Sequence, residues 1–381
     1  MHFLVGLIGA LIIVVCLVDG FEAMVLPRRV ARRYRPTRMF YRGAWACWRS
    51  IGCRLPVRRR GYFLSMFGPL SLLILFSSWV YGLIFGFGLV HWAERTELAP
   101  LGAAGSLPEC LYLSGTTFFT LGYGDVTPTG ALGRVLAVIE SGLGFGFMAV
   151  IIGYLPVLYQ AFSRREQVIA LLDARAGSPP TALALVDRMS KTGELRHLDT
   201  VLLDWERWAA DLLESHLSFP VLSFYRSQHD NQSWLAALAT ILDTCTLIIA
   251  TAKERESYQA QLTFAAARHA AVDISLVFWV PPRQPPDDRL TPAELSRVHE
   301  LLAGAAAPDL SIDVMRQKVE QLREMYEPFL AGLANHLLFQ LPRFHAEKAT
   351  KDNWQSSAWM KQAAGIGDLP KLGTGDHFVD V

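Results

Sequence analysis

Thr117-Phe118-Phe119-Thr120-Leu121-Gly122-Tyr123-Gly124-Asp125 decides how the rest of the chain is read. Two threonines stand three residues apart, and the second opens a run in which glycine alternates with a side chain. Glycine enters left-handed backbone without steric penalty. Gly122 and Gly124 therefore permit dihedrals that neither helix nor strand uses. Thr120 adds a hydroxyl oxygen beside that backbone. In a soluble protein such a nonamer would read as a glycine-rich turn, and only its flanks decide otherwise.

Those flanks are apolar. Ser106-Leu107-Pro108-Glu109 has the form of a capping box with Pro in the first turn. It predicts a helix of about three turns from Leu107 to Phe119, too short to cross a bilayer. Tyr62 to Trp92 precedes it as an apolar run, residues 93 to 106 form a short outer turret, and Ala131 to Tyr159 follows beyond Pro128 and Gly130. Irregular backbone at membrane depth is tolerated only where it lines a water-filled path or is buried in protein. A loop re-entering between two spans meets that condition. The short helix would aim its partial negative end at the loop, which favours a cation.

The nonamer resembles the selectivity filter of potassium channels, whose pattern is Thr-x-x-Thr-x-Gly-Tyr-Gly. Roughly residues 62 to 160 are similar to the pore of bacterial channels with one pore loop per chain, the two-span ion-channel family 2 type. From that resemblance, rather than from spacing, comes the mechanism: backbone carbonyls replace the hydration shell of K+. It implies K+ at Thr120, Leu121, Gly122 and Tyr123, with Gly124 completing the run and Thr117, Asp125 and Glu140 as supports. One loop supplies a quarter of the ring, so a homotetramer is implied.

Gly133-Arg134 starts the third span as in simple two-span potassium channels, and Gly144 falls where that family has a gating hinge. Close helix packing by Gly142, Gly144 and Gly146 is the other reading. Pro156 would kink the inner end, because it removes one helix hydrogen bond. Glu140 is the one acid in this helix, and intramembrane acids are costly and usually functional. Some inward-rectifier-like bacterial channels have a glutamate four residues before the hinge, as Glu140 is to Gly144. It is assigned to the back of the filter rather than to the cavity. Leu121 stands where the family mostly has Val or Ile, Phe118 and Phe119 replace smaller residues, and Tyr112-Leu113 replaces a common tryptophan pair.

The 381 residues are 51% hydrophobic with mean hydropathy +0.25, too apolar for an ordinary soluble protein. Phe3 to Leu26 predicts a first span, with neither the positive leader nor the cleavage site of a signal peptide. From Arg28 to Arg60 there are twelve arginines and no acidic residue. Between two spans, such a run reports a cytoplasmic loop and puts the N-terminus outside. A nucleic-acid- or lipid-binding module is the rival reading, and Tyr41, Trp45 and Trp48 could let the segment lie at the headgroups. No nucleic acid is expected as a partner. The first two spans have no arginine ladder of the voltage-sensor kind.

Beyond Arg165 the pattern is helical. Leu195, Leu198, Leu202, Trp205 and Leu212 keep a helix period, which Phe219-Pro220 breaks. Trp234 to Ala252 is about long enough for a fourth span, but Asp243 and four threonines favour a core helix. His229-Asp230 reads as a helix start before it reads as a ligand site. Thr291-Pro292-Ala293-Glu294 predicts another capped helix. No Gly-x-Gly-x-x-Gly follows a strand, so a nucleotide-binding regulatory domain is not expected. Nor do a nucleophile motif, paired carboxylates or metal spacing point to an enzyme or a cofactor beyond permeant K+.

The expected fold is mainly α: an N-terminal membrane helix (1–26), a basic cytoplasmic loop (27–61), a span–pore–span domain with a re-entrant pore loop (62–163), and an α-helical soluble domain (164–381). The expected function is K+ conduction across a bacterial inner membrane, with the C-terminal domain cytoplasmic, modulating the gate and open to an unidentified ligand. The alternative is a non-selective or non-conducting membrane sensor that keeps the pore as scaffold.

Overall fold

A computed structural model describes residues 1–26, 35–177, 179–191, 195–227, 232–251, 257–303 and 311–345. His229, Asp230 and Asn231, the first arginines of the basic segment and the C-terminal stretch from residue 346 lie outside the described residues. The chain divides into two compact units, Met1–Gln160 and Ala161–Val381.

The first unit is built from α1 (His2–Met24), α2 (Pro36–Arg54), α3 (Val57–Ser65), α4 (Phe67–Ala93), α5 (Leu107–Phe118) and the first part of α6 (Ala131–Ala176). Three stretches here are long and apolar enough to cross a membrane: His2–Met24, Arg59–Ala93 and Ala131–Ala176. Their outer faces carry exposed Leu4, Leu7 and Leu11 on α1 and Val135, Val138 and Ile152 on α6. Lipid or another apolar surface suits such faces better than water. Small residues bring α1 and α4 together. A Cβ on Gly9 would meet the Gly86 carbonyl at 2.7 Å, and one on Gly82 would meet Cys16 Sγ at 2.7 Å. That is how membrane helices gain contact where no hydrophobic drive separates protein from lipid.

The C-terminal end of α1 is held by a buried carboxylate. Asp19 accepts from the Thr37 backbone at 3.1 Å, the Thr37 hydroxyl at 2.6 Å and Trp79 Nε1 at 2.9 Å. This ties α1 to the start of α2 and to the middle of α4. The basic stretch between the first two spans is thus two helices over most of its length. Its aromatics, spaced four and three apart, make one apolar face. Trp45 packs edge-on to Phe67 at 4.8 Å, and Trp48 stacks on Phe63 at 4.4 Å while donating to the Phe63 carbonyl.

The expected turret and the chain beyond the glycine run hold three short strands: β1 (Glu97–Ala99), β2 (Ala103–Ala104) and β3 (Thr127–Pro128), in the order β2-β1-β3. Antiparallel pairing of Leu98 with Pro128 and Ala99 with Thr127 joins the chain before the short helix to the chain after the glycine run. Both ends of the re-entrant segment are therefore fixed to each other.

The second unit contains the end of α6, then α7 (Ala182–Lys191), α8 (Leu195–Ser218), a 3-10 turn at Pro220–Phe224, α9 (Trp234–Thr251), α10 (Tyr258–Phe278), α11 (Pro292–Ala303), α12 (Ile312–Glu324) and α13 (Glu327–Leu337). Of the expected stripe, Leu198, Leu202, Trp205 and Leu212 are buried, and the side chain of Leu195 lies outside the described residues. Thr291 and Glu294 close the expected capping box, with Glu294 Oε2 accepting from the Thr291 backbone at 2.6 Å. The apolar helix α9 also has the length and composition of a span, yet nearly all of it is enclosed within this unit. Its threonines bond back to the helix, Thr244 to the Thr240 carbonyl and Thr251 to that of Leu247. Enclosure on all sides is what a core helix needs.

Arg165 and His216 anchor the start of this unit. Both are buried, and Arg165 donates to the carbonyls of Leu222 and Tyr225 at 2.9 Å each. His216 Nδ1 lies 2.8 Å from the Leu212 carbonyl, and its Nε2 lies 3.4 Å from Arg165 Nη1. This is the arrangement of a neutral ring that donates at one nitrogen and accepts at the other. Burial, reinforced by the Arg165 charge, pushes the His216 pKa down to about 3. The unfolded chain takes a proton there near pH 6.5, while the folded chain refuses it until about pH 3. Stability should therefore fall as pH drops through this window, by roughly 2 kcal/mol between pH 7 and pH 5. His216→Gln should flatten that slope in denaturant titrations. An unchanged slope would assign the acid sensitivity elsewhere.

Candidate functional site

The short helix α5 starts as its sequence demands. Glu109 Oε2 accepts from the Ser106 backbone at 2.7 Å, closing the capping box. The helix is seated against α4, with Ser114 Oγ donating to the Ile84 carbonyl at 2.7 Å and Leu111 filling the space beside Gly88. At its far end Thr120 N bonds to the Thr117 carbonyl at 3.0 Å and Leu121 N to that of Thr116 at 2.8 Å. The helix thus runs directly into the glycine run.

There the backbone alternates in handedness. Thr120, Gly122 and Gly124 have φ of +55°, +62° and +77°, while Leu121 and Tyr123 keep ordinary negative values. Successive carbonyls of an extended strand point to opposite sides, as its side chains do. Inverting every second residue turns them toward a common side. Two of the three inversions cost little because they fall on glycine, and the third strains Thr120 by about 1–2 kcal/mol. A β-branched residue in this region is uncommon enough to suggest function. Residues 119–125 are exposed within one chain, and a Cβ on Gly122 or Gly124 would meet nothing within 4 Å.

Polar side chains meet on the protein side of this segment. Asp125 accepts from the Tyr112 hydroxyl at 2.8 Å, bracing the end of the run against α5. Glu140 is fully buried; its Oε1 is in hydrogen-bond contact with Ser114 Oγ of α5, and its Oε2 lies 3.6 Å from His91 Nε2 of α4. His91 Nδ1 in turn lies 3.2 Å from Thr96 Oγ1 at the turret. The acid therefore joins three helices behind the glycine run. Gly144 packs there too, since a Cβ on it would stand 2.5 Å from the Phe118 carbonyl. Gly142, Gly146 and Gly153 have nothing so placed within 4 Å. Close packing is thus a requirement at Gly144. Pro156 lies inside α6, which continues through it to Ala176.

Sequence reasoning missed the Tyr112–Asp125 bond, the His91 link and the Asp19 hub. Tyr112 carried a usable signal, since it stands where a tryptophan donor would otherwise be and keeps a hydroxyl to donate. His91 carried none, because nothing along the chain relates it to Glu140.

With the geometry in place, comparison with known proteins shows what this region is similar to. Residues 70–160 match the family model described as Ion channel, Ion_trans_2. The chain is 26% identical over 208 residues to Uncharacterized membrane protein YdjJ of Bacillus subtilis (strain 168), covering 53% of this chain and 59% of that protein. It is 37% identical over 84 residues to Protein LctB of Geobacillus stearothermophilus, covering 19% of this chain and 62% of that one. A further Protein LctB, from Bacillus caldotenax, is 50% identical over 46 residues, covering 12% and 34%. The chain spans about three fifths of the length of the first two relatives. No solved structure matches it.

Proposed function

We propose that the ion-channel domain at residues 70–160 is the pore of a potassium-selective channel. The observation that carries this reading is the alternation of left-handed backbone at Thr120, Gly122 and Gly124. Carbonyls turned to one side are what a dehydrated cation needs in place of water. K+ is assigned to the oxygens of Thr120, Leu121, Gly122 and Tyr123, with Gly124 completing the run.

Four chains form the ring. In one chain the run is exposed, and Tyr123 is 69% exposed. Polar backbone left in that state at membrane depth would be costly, so cover from three further copies is part of the proposal. Thr117, Asp125 and Glu140 hold the filter from behind. The gate lies on α6, where Pro156 leaves the Ile152 carbonyl without its helix donor. Packing at Gly144 limits how far that helix can move beside the filter. The second unit is assigned to the cytoplasm as a modulator of this gate, the arginine-rich segment marking the inner side. The protein acts without chemistry on a substrate.

The test is ion flux from proteoliposomes. Full-length protein should pass K+ at least roughly ten-fold faster than Na+ under matched gradients, the preference expected of a carbonyl filter. Tyr123→Asp should bring the two rates together. Equal rates in the native protein would leave an unselective pore, and no flux of either ion would leave the membrane-scaffold reading.

A further inference from the structure

We propose that the arginine-bearing faces of α2 and α3 are a binding surface for anionic phospholipid headgroups of the surrounding membrane. From Arg35 to Arg60 there are eight arginines and no acidic residue. Topology alone needs basic charge on one side of a membrane, but it does not need a folded, aromatic-backed platform.

The platform is fixed at the level where two spans end. Asp19 of α1 receives Thr37 in the first turn of α2, and Glu22 lies 3.3 Å from Arg35. At the other end α3 leads into α4, and the apolar stretch there is counted from Arg59. Arg60 closes the turn between them by donating to the carbonyls of Gly52 and Cys53 at 3.1 and 3.2 Å. Both attachments therefore keep α2 beside the ends of the spans, where headgroups lie.

One face of α2 turns Trp45 and Trp48 toward Phe63 and Phe67. The remaining surface is mixed. Arg42, Arg54 and Arg59 are exposed, and so are Met39 (60%) and Ile51 (50%). Arg38 and Arg42 are four apart and share a side of the helix. Burial, followed by the charges of Arg42 and Arg35, pulls the Arg38 pKa below its ordinary value. Guanidinium groups grip phosphate oxygens two at a time, and exposed methionine and isoleucine suit the acyl boundary beneath a headgroup. A nucleic acid would supply the phosphates but would leave Met39 and Ile51 in water, so the lipid is favoured.

The experiment titrates short-chain phosphatidylglycerol or phosphatidylcholine into detergent-solubilised full-length protein, with bound lipid read by native mass spectrometry. Native protein should take phosphatidylglycerol at a concentration at least roughly ten-fold lower than phosphatidylcholine. Each arginine near a headgroup is worth about a factor of five, so Arg42→Gln, Arg54→Gln and Arg59→Gln combined should weaken phosphatidylglycerol about a hundred-fold. The same three positions changed to lysine should keep most of the preference and show that charge, not folding, is being read. Equal uptake of the two lipids by native protein would overturn the proposal. A preference that survives the glutamine changes would do the same. So would a short duplex RNA that displaces phosphatidylglycerol, which would make the surface a nucleic-acid site.

Discussion

Gly122→Ala is expected to lower K+ flux by roughly a hundred-fold or more while leaving the helices of both units intact. At φ of +62° an alanine is strained whatever space surrounds it, and beyond its two flanking residues nothing in the same chain lies within 4 Å of the added Cβ. Within one chain the effect is therefore one of backbone. Left-handed geometry costs about 1–2 kcal/mol for a residue with a Cβ. A ring of four carries that cost four times, or about 4–8 kcal/mol, enough to flip the peptide and turn a ring of carbonyls away. Gly102 is the control. It has φ of +60° in the turret and likewise nothing within 4 Å, so Gly102→Ala imposes the same local strain away from the carbonyl run. Its flux should stay within about two-fold of native, because the same 1–2 kcal/mol falls where no ion is held. Equal losses in both variants would reduce the effect to general destabilisation. Unchanged flux in Gly122→Ala would remove the carbonyl alignment on which the proposed selectivity rests.

The contrast between these glycines bears on what a sequence can disclose. Local rules sufficed where residues act on near neighbours: the Ser106–Glu109 box, the Thr291–Glu294 box, and the break at Phe219-Pro220. The handedness of Gly122 and Gly124 was legible for the same reason, since φ is a property of one residue. Thr120 at +55° was not, because its strain is imposed by the segment between α5 and the turret sheet. Glu140 could be placed in α6 and assigned to the back of the filter. That it would meet Ser114 and His91, on two other helices, depends on how α4, α5 and α6 cross. The basic segment was readable as charge, whereas its helical form rests on Trp45 and Trp48 finding Phe67 and Phe63 beyond the turn. For Gly144, hinge and packing remained open in sequence, and the Phe118 carbonyl supplies the packing.

Asp243 shows the same limit with the larger energetic consequence. In sequence it was an argument against a fourth span, with no partner in view. In the fold it receives Arg289 Nη2 on both oxygens, at 2.6 and 2.8 Å, and the Tyr326 hydroxyl at 2.7 Å. Arg289 also donates to Glu327 at 2.8 Å and to the Pro342 carbonyl at 3.0 Å, and Glu327 is shared with Arg323 at 2.9 Å. One buried guanidinium therefore ties α9 to α13 and to the chain that follows it. Arg289→Met should cost about 3–5 kcal/mol, because it leaves Asp243 buried without its counter-charge. Thermal melts of the full-length protein in detergent would show the loss as an early transition of the helical unit. Adding Asp243→Leu should recover much of it, since an apolar pair of similar volume removes the unpaired charge instead of exposing it. Glu327 keeps Arg323 in that double variant, so the recovery reports Asp243 less the cost of a Tyr326 hydroxyl that loses its acceptor. A loss below about 1 kcal/mol in Arg289→Met would mean that Asp243 simply takes up a proton when its partner is removed. If the second unit modulates the gate, the single variant should also change the rate of K+ flux and leave the K+ to Na+ ratio as it was. The filter and the modulator are then separable, because the strained backbone that sets the ratio shares no residue with the buried charge network that holds the modulator folded.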